Sequence, residues 1–236
     1  MKNTGIIFIG PIIGFSPSLN AVFNSLRGDG VLVEGIDIFE EQNLKKTSWK
    51  LLGLTALPGS HKRRVAFANN YNEPLLFGII KERIEKLKAQ GVKKIILGGM
   101  SGGFIFAARA AQDFHDPSIR GLIGISPLVF YPAEVFQKGV DLSAVPPHIP
   151  TLLIWGDSDS IVPEGTISYA ERIAKHHPHV FTRVIRGSEA GVKDGKIKHQ
   201  FFGGRDFTGK IKNAFWNEAA EKIAVRSIED MVNSIQ

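Results

Sequence analysis

Gly99-Met100-Ser101-Gly102-Gly103 sets a serine among glycines between the apolar run Lys94–Leu97 and a stretch of small and apolar residues ending near Ala111. This is G-x-S-x-G in a strand–turn–helix context, the arrangement called a nucleophile elbow. The spacing has a chemical reason. A serine that is to attack a carbonyl must project from a sharp, strained turn, and glycines on both sides keep other side chains out of that turn. The helix that follows points its N-terminus at the serine. Its free N–H groups and dipole favour a developing oxyanion there.

A serine hydroxyl needs a base, and the base needs an orienting carboxylate. Both follow in the chain order serine, aspartate, histidine. After the apolar run Thr151–Trp155 comes Gly156-Asp157-Ser158-Asp159-Ser160-Ile161-Val162-Pro163, with two aspartates in one loop. Asp159 has the better frame, G-x-x-D with Val162-Pro163 closing the loop. The competing reading makes both aspartates caps of a helix beginning near Pro163. After the run Val180–Ile185 comes a polar loop with Lys198-His199-Gln200-Phe201-Phe202-Gly203 ahead of the last helix, which places His199 as the general base. The oxyanion needs two N–H donors. Gly102 follows the serine and supplies one; in the loop after the first strand Pro11 has no N–H, so Ile12 supplies the other.

Other candidate groups carry less. His176, His177 and His179 cluster at an expected helix end before a strand, without a carboxylate pattern, and read as solvated rather than as metal ligands. His61, His115 and His148 are isolated. Gly10 to Gly14 is not G-x-G-x-x-G, and no glycine-rich turn leads into G-K-[ST], so neither a dinucleotide nor a P-loop site is expected. The basic stretches Lys45-Lys46, His61–Arg64 and Lys193–Lys198 are short and lack interleaved aromatics, so no nucleic-acid partner is expected. The chain has no cysteine, which removes disulfides, thiolate zinc sites, iron–sulfur clusters and a cysteine nucleophile. Neither a metal nor a cofactor is required by these residues.

The elements that must position this chemistry are legible as alternating patterns. Ile6–Ile9, Val31–Ile36, Lys94–Leu97, Gly121–Ile125, Thr151–Trp155 and Val180–Ile185 are short apolar runs without clean alternation, the mark of parallel strands covered on both faces. Pro74–Gln90 repeats Leu75, Ile79, Ile80, Ile84 and Leu87 at helical spacing and closes at Gly91; Ala214–Ile235 reads as a long closing helix. Strands alternating with helices imply parallel pairing and right-handed crossovers. With 236 residues, 43% hydrophobic and 22% charged, and no linker or repeat, a single domain over residues 1–236 is expected. The 29 basic against 23 acidic residues leave +6, which favours anionic partners without naming one. The apolar start Gly5–Phe15 superficially resembles a secretory segment, but Gly10, Pro11 and Gly14 interrupt it, and no run reaches the roughly 18 apolar residues a span needs. It reads as a buried strand and loop, in a soluble, cytoplasmic protein with no membrane partner.

On these residues the chain resembles the α/β-hydrolases, and among them the dienelactone hydrolase family. The similarity runs through IIFIGPIIGFSPSLNAVFNSLRGDGVLVEGIDIF, GGMSGGFIFAARAA, LLIWGDSDSIVP and KHQFFGGRDF, nearly the whole chain. It implies the hydrolase fold, a mostly parallel sheet with helices on both faces and no large lid domain between Ser126 and Pro150. It carries the nucleophile to Ser101, the acid to Asp159 and the base to His199. Two departures stand out. The family proper uses a cysteine nucleophile where this chain has Ser101, and a glutamate in the first loop where this chain has Pro11. Both point from thiol chemistry to a Ser–His–Asp hydrolase of carboxylic esters of small to medium acyl groups. A thioesterase or lactonase would use the same residues, and a hydrolase-like binding module would not use them at all. The segment Glu40–Glu73, with Trp49, Leu51, Leu52, Leu54, Phe67 and the basic His61–Arg64 run, is expected to overhang the site.

Overall fold

The computed structural model describes residues 3–10, 31–37, 73–129, 140–160, 162, 164–192, 196–198, 201 and 217–235. Six strands, β1 (Thr4–Ile9), β2 (Val31–Ile36), β3 (Lys94–Met100), β4 (Ile119–Ile125), β5 (Thr151–Gly156) and β6 (Val180–Ile185), form one sheet in the order β2-β1-β3-β4-β5-β6. Every neighbouring pair is parallel. Each expected strand is present and each lies within three residues of the expected bounds.

Four helices accompany them: α1 (Glu73–Ala89), α2 (Gly103–Asp113), α3 (Thr166–His176) and α4 (Glu218–Ile235). The steps β2 to β3, β3 to β4 and β5 to β6 all advance the same way across the sheet. Right-handed crossovers then force α1, α2 and α3 onto one face. The packing agrees: Leu76, Ile80, Phe106, Ala107 and Ala170 share a cluster with Ile7, Ile9, Leu97 and Leu153. On the opposite face Ala220, Ala224, Ile228 and Met231 of α4 pack with Ile6, Phe8, Ile96, Ile123 and Ile154. Side chains alternate across a strand, so Ile6 and Phe8 serve one layer while Ile7 and Ile9 serve the other. This is why β1 is apolar at consecutive positions and buried throughout. The described helix α4 runs from Glu218, where the Asn217 side chain accepts the Ala220 N–H at 2.8 Å and caps it; residues 214–216 of the expected closing helix lie outside the described residues. No described helix is long and apolar enough to cross a membrane.

β1 is where the sheet order reverses. The chain leaves β1 towards β2 on one side, and later continues from β3 away on the other. In an open parallel sheet this reversal between β1 and β3 is the topological switch point, beside whose carboxyl strand ends ligands bind. Ser101 follows β3 at that edge.

Candidate active site

Sequence alone requires Ser101 to sit on a strained turn, and it does: its φ is 53°, in the left-handed region that non-glycine residues avoid. Several bonds hold it there. The Ser101 N–H donates to the Ile125 carbonyl of β4 at 3.0 Å, and its own carbonyl accepts from Leu128 N–H at 3.1 Å and Phe104 N–H at 3.3 Å. Ser101 is partly exposed, whereas Gly102 and Gly103 beneath it are buried.

The glycines answer to close approach. A Cβ on Gly99 would run into the backbone of Gly103 and Phe104, and one on Gly103 into the carbonyl oxygens of Ile9 and Gly10. The start of α2 thus lies directly against the ends of β3 and β1. α2 is buried on almost every side, through Phe104, Ile105, Phe106, Ala107, Ala108, Ala110 and Ala111. Its small residues let the helix sit close to the sheet. Arg109 is turned towards α1, where it pairs with Glu73 and lies over the Phe77 ring at 5.3 Å. Gly102 caps the helix without a side-chain bond. The Phe104 and Ile105 N–H groups already donate to the Ser101 and Gly102 carbonyls at 3.3 and 3.2 Å, so the candidate anion donors at this helix start are the Gly102 and Gly103 N–H groups.

The two aspartates after β5 differ in their surroundings. Asp157 has both carboxylate oxygens engaged by backbone: Oδ1 accepts from Ile197 N–H at 2.7 Å and Oδ2 from Gly187 N–H at 2.8 Å. Asp159 bonds within its own loop, Oδ1 accepting from Val162 N–H at 3.3 Å. Neither caps α3. That helix begins at Thr166 behind Gly165, whose φ of 81° needs a glycine and which offers no side-chain cap.

His199, Ile12, residues 40–72 of the Glu40–Glu73 segment and with them the His61–Arg64 run lie outside the described residues. The neighbours of His199 do not. Ile197 and Phe201, two positions to either side, are buried in the α4 layer. Phe201 accepts a bond from Asn217 N–H at 3.2 Å, and Ile197 accepts one from Ser158 N–H at 2.9 Å. Ile197 is therefore anchored directly to the aspartate loop, and Phe201 to the residue before α4. Ser101 follows β3, and Asp157 and Asp159 follow β5, so the sheet brings these residues to one edge.

His179 departs from its expected solvated setting. Its Nε2 is buried and finds no hydrogen-bond partner among the described residues. Burial holds the imidazole below the ordinary histidine range; the Val145 backbone opposes this shift and the charge on His177 adds to it. The His177 and His179 rings meet edge to face at 5.7 Å. Among the described residues no group of three His, Asp or Glu side chains could hold a metal ion. Sequence reasoning also missed Trp155, fully buried, with its Nε1–H donated to the Pro127 carbonyl at 3.2 Å. That bond ties the loop after β4, beside Ser101, to the strand that carries the aspartates.

No protein-family model matches the sequence, and no curated protein matches it. Solved structures do match it in fold. A Klebsiella pneumoniae protein assigned as a dienelactone hydrolase superposes with a TM-score of 0.66 at 13% identity, covering 95% of this chain and 84% of that one. A Xanthomonas campestris protein assigned to the α/β hydrolase superfamily gives 0.55 at 14% identity, over 98% and 99% of the two chains. Esterase PE8 gives 0.60 at 16% identity, over 100% and 93%. The chain has the α/β-hydrolase fold, in the form also seen in dienelactone hydrolase-like structures.

Proposed function

We propose that the protein is a serine hydrolase of carboxylic esters, with Ser101 as nucleophile, His199 as general base and Asp159 as the orienting acid. The observation that carries this reading is the strained, glycine-packed turn at Ser101, at the carboxyl end of β3 and at the start of a buried helix. Strain of this kind costs on the order of 1–3 kcal/mol and persists where the surrounding structure enforces it. The solved structures of like fold include an esterase and a dienelactone hydrolase, which supports hydrolysis as the reaction class. Asp159 takes the acid role on its frame, G-x-x-D with Val162-Pro163 closing the loop, while Asp157 holds the backbone N–H groups of Gly187 and Ile197.

In this reading His199 accepts the Ser101 hydroxyl proton as Oγ attacks the ester carbonyl. The Gly102 and Ile12 N–H groups hold the oxyanion. Collapse of the tetrahedral intermediate expels the alcohol, which leaves with the proton from His199. Water then attacks the acyl-enzyme, giving its proton to His199, and the acid departs as Ser101 regains its hydrogen. Asp159 stabilises the imidazolium formed at each attack.

A fluorophosphonate probe tests the assignment. One equivalent should be incorporated and map to Ser101, and Ser101→Ala should lose both labelling and hydrolysis of a panel of p-nitrophenyl esters. Including a thioester and a lactone in the panel ranks the substrate classes. A folded protein that labels elsewhere, or not at all, is instead a binding module.

A further inference from the structure

Asp157 is drawn into bonds that reach far along the chain. Its Oδ2 takes the Gly187 N–H 30 residues away and its Oδ1 the Ile197 N–H 40 residues away. Gly187 opens a turn that is internally bonded: Val192 N–H donates to the Gly187 carbonyl at 2.8 Å and Ala190 N–H to the Arg186 carbonyl at 3.2 Å. Beside these, Ser158 N–H donates to the Ile197 carbonyl at 2.9 Å. The backbone of Ile197 also crosses directly against Gly156, where a Cβ would meet the Ile197 carbonyl oxygen and its Cγ2, the latter at 2.6 Å. Three chain segments thus converge on one exposed carboxylate at the end of β5. One of them continues, two residues on, to His199.

We infer that Asp157 is a positioning residue for the hydrolytic reaction: its carboxylate clamps the segment bearing His199 to the loop bearing Asp159, and so sets the base against its acid. This rests on the serine-hydrolase reading above. A carboxylate suits the task because both oxygens accept, and charge-assisted bonds to N–H are shorter and stronger than neutral ones. An amide could not replace it. Asn has one accepting oxygen, and its NH2 would face one of the two N–H donors.

Two variants test the clamp. Asp157→Asn breaks one of its bonds. Asp157→Glu keeps both acceptors, and with them the fold, but its added methylene displaces them by about 1.5 Å. Each is compared with wild type, with Ser101→Ala, and with Ile84→Ala, a core truncation in α1 remote from this edge. Steady-state kinetics on a p-nitrophenyl ester and the rate of fluorophosphonate labelling are read well below each variant's melting temperature. The clamp predicts a fall in kcat of about 10- to 100-fold in both Asp157 variants, since displacements near 1 Å can cost that much. KM should stay within about threefold, labelling should slow in parallel, and Ile84→Ala should keep its kcat. If Asp157→Asn does not fold, Asp157→Glu carries the same test. A kcat within about threefold of wild type in Asp157→Glu, with Ser101→Ala inactive, overturns the positioning role and leaves the hydrolase reading standing. Undiminished turnover in Ser101→Ala overturns that reading and the clamp with it.

Discussion

The same substitution, glycine to alanine, should act in opposite directions at two helical positions. At Gly103 a Cβ would overlap the carbonyl oxygens of Ile9 and Gly10 and come within 3.0 Å of the Ile9 carbonyl carbon, whereas ordinary contacts lie at 3.4–4 Å. All three are backbone atoms of β1 and its continuation, so no side chain can swing aside. The helix and the strand must part by about 1 Å, and overpacking on this scale costs roughly 1–3 kcal/mol. For a domain of this size each kcal/mol lowers the melting temperature by about 2–4 °C, so Gly103→Ala should melt about 2–12 °C early. At exposed Gly78 in α1 nothing lies within 4 Å of the new methyl group. There alanine gains the helix propensity that glycine lacks, about 0.5–1 kcal/mol, and should raise the melting temperature by about 1–4 °C. Thermal unfolding by circular dichroism on both variants decides the matter. Activity adds a second reading, because moving the elbow by 1 Å should also reduce ester turnover by up to about 10²-fold in Gly103→Ala. If Gly103→Ala melts with wild type, the close approach of α2 to β1 is wrong, and so is the account of the turn that holds Ser101.

Two further outcomes are expected. Asp159→Asn should leave the fold intact by circular dichroism yet reduce kcat on a short-chain ester near pH 8 by roughly 10⁴, the loss seen when the same exchange is made in a serine-protease triad; a loss under about tenfold removes Asp159 from the triad. His179 is held neutral by burial, with its value lowered from 6.5, so the unfolded chain takes up a proton before the folded one does. Its share of stability is therefore complete above about pH 6.5 and drains away as the pH falls below it. Urea unfolding at a series of pH values should show His179→Gln with a shallower loss on the acid side than wild type, and identical slopes would refute the buried, neutral assignment.

Much of this protein is local enough to be written in its sequence. Consecutive apolar residues in β1, β3 and β5 announce strands covered on both faces, because a strand shows alternate residues to opposite layers. Helical spacing of Ile79, Ile80, Ile84 and Leu87 marks the buried face of α1, but Leu75, expected on that face, is exposed and Leu76 is buried in its place. The elbow was equally visible, since its glycines are demanded by contacts among neighbours in sequence, Gly99 against Gly103 and Phe104. The order serine, aspartate, histidine came from the same kind of reading.

What only the tertiary structure decided are contacts between residues far apart in the chain. Gly103 looks like any helix-start glycine until Ile9 and Gly10 close over it from β1. His179 reads as a solvated helix-end residue until its Nε2 is enclosed. Asp157 and Asp159 share one loop and one side-chain chemistry, so local pattern can rank them only by frame. They part when Gly187 and Ile197 arrive from 30 and 40 residues away and present two N–H groups to Asp157. Periodicity records which way a side chain faces its own layer; it carries no record of which distant backbone donor will meet it, because that is settled only when the β5 and β6 ends and the segment before the last helix pack together.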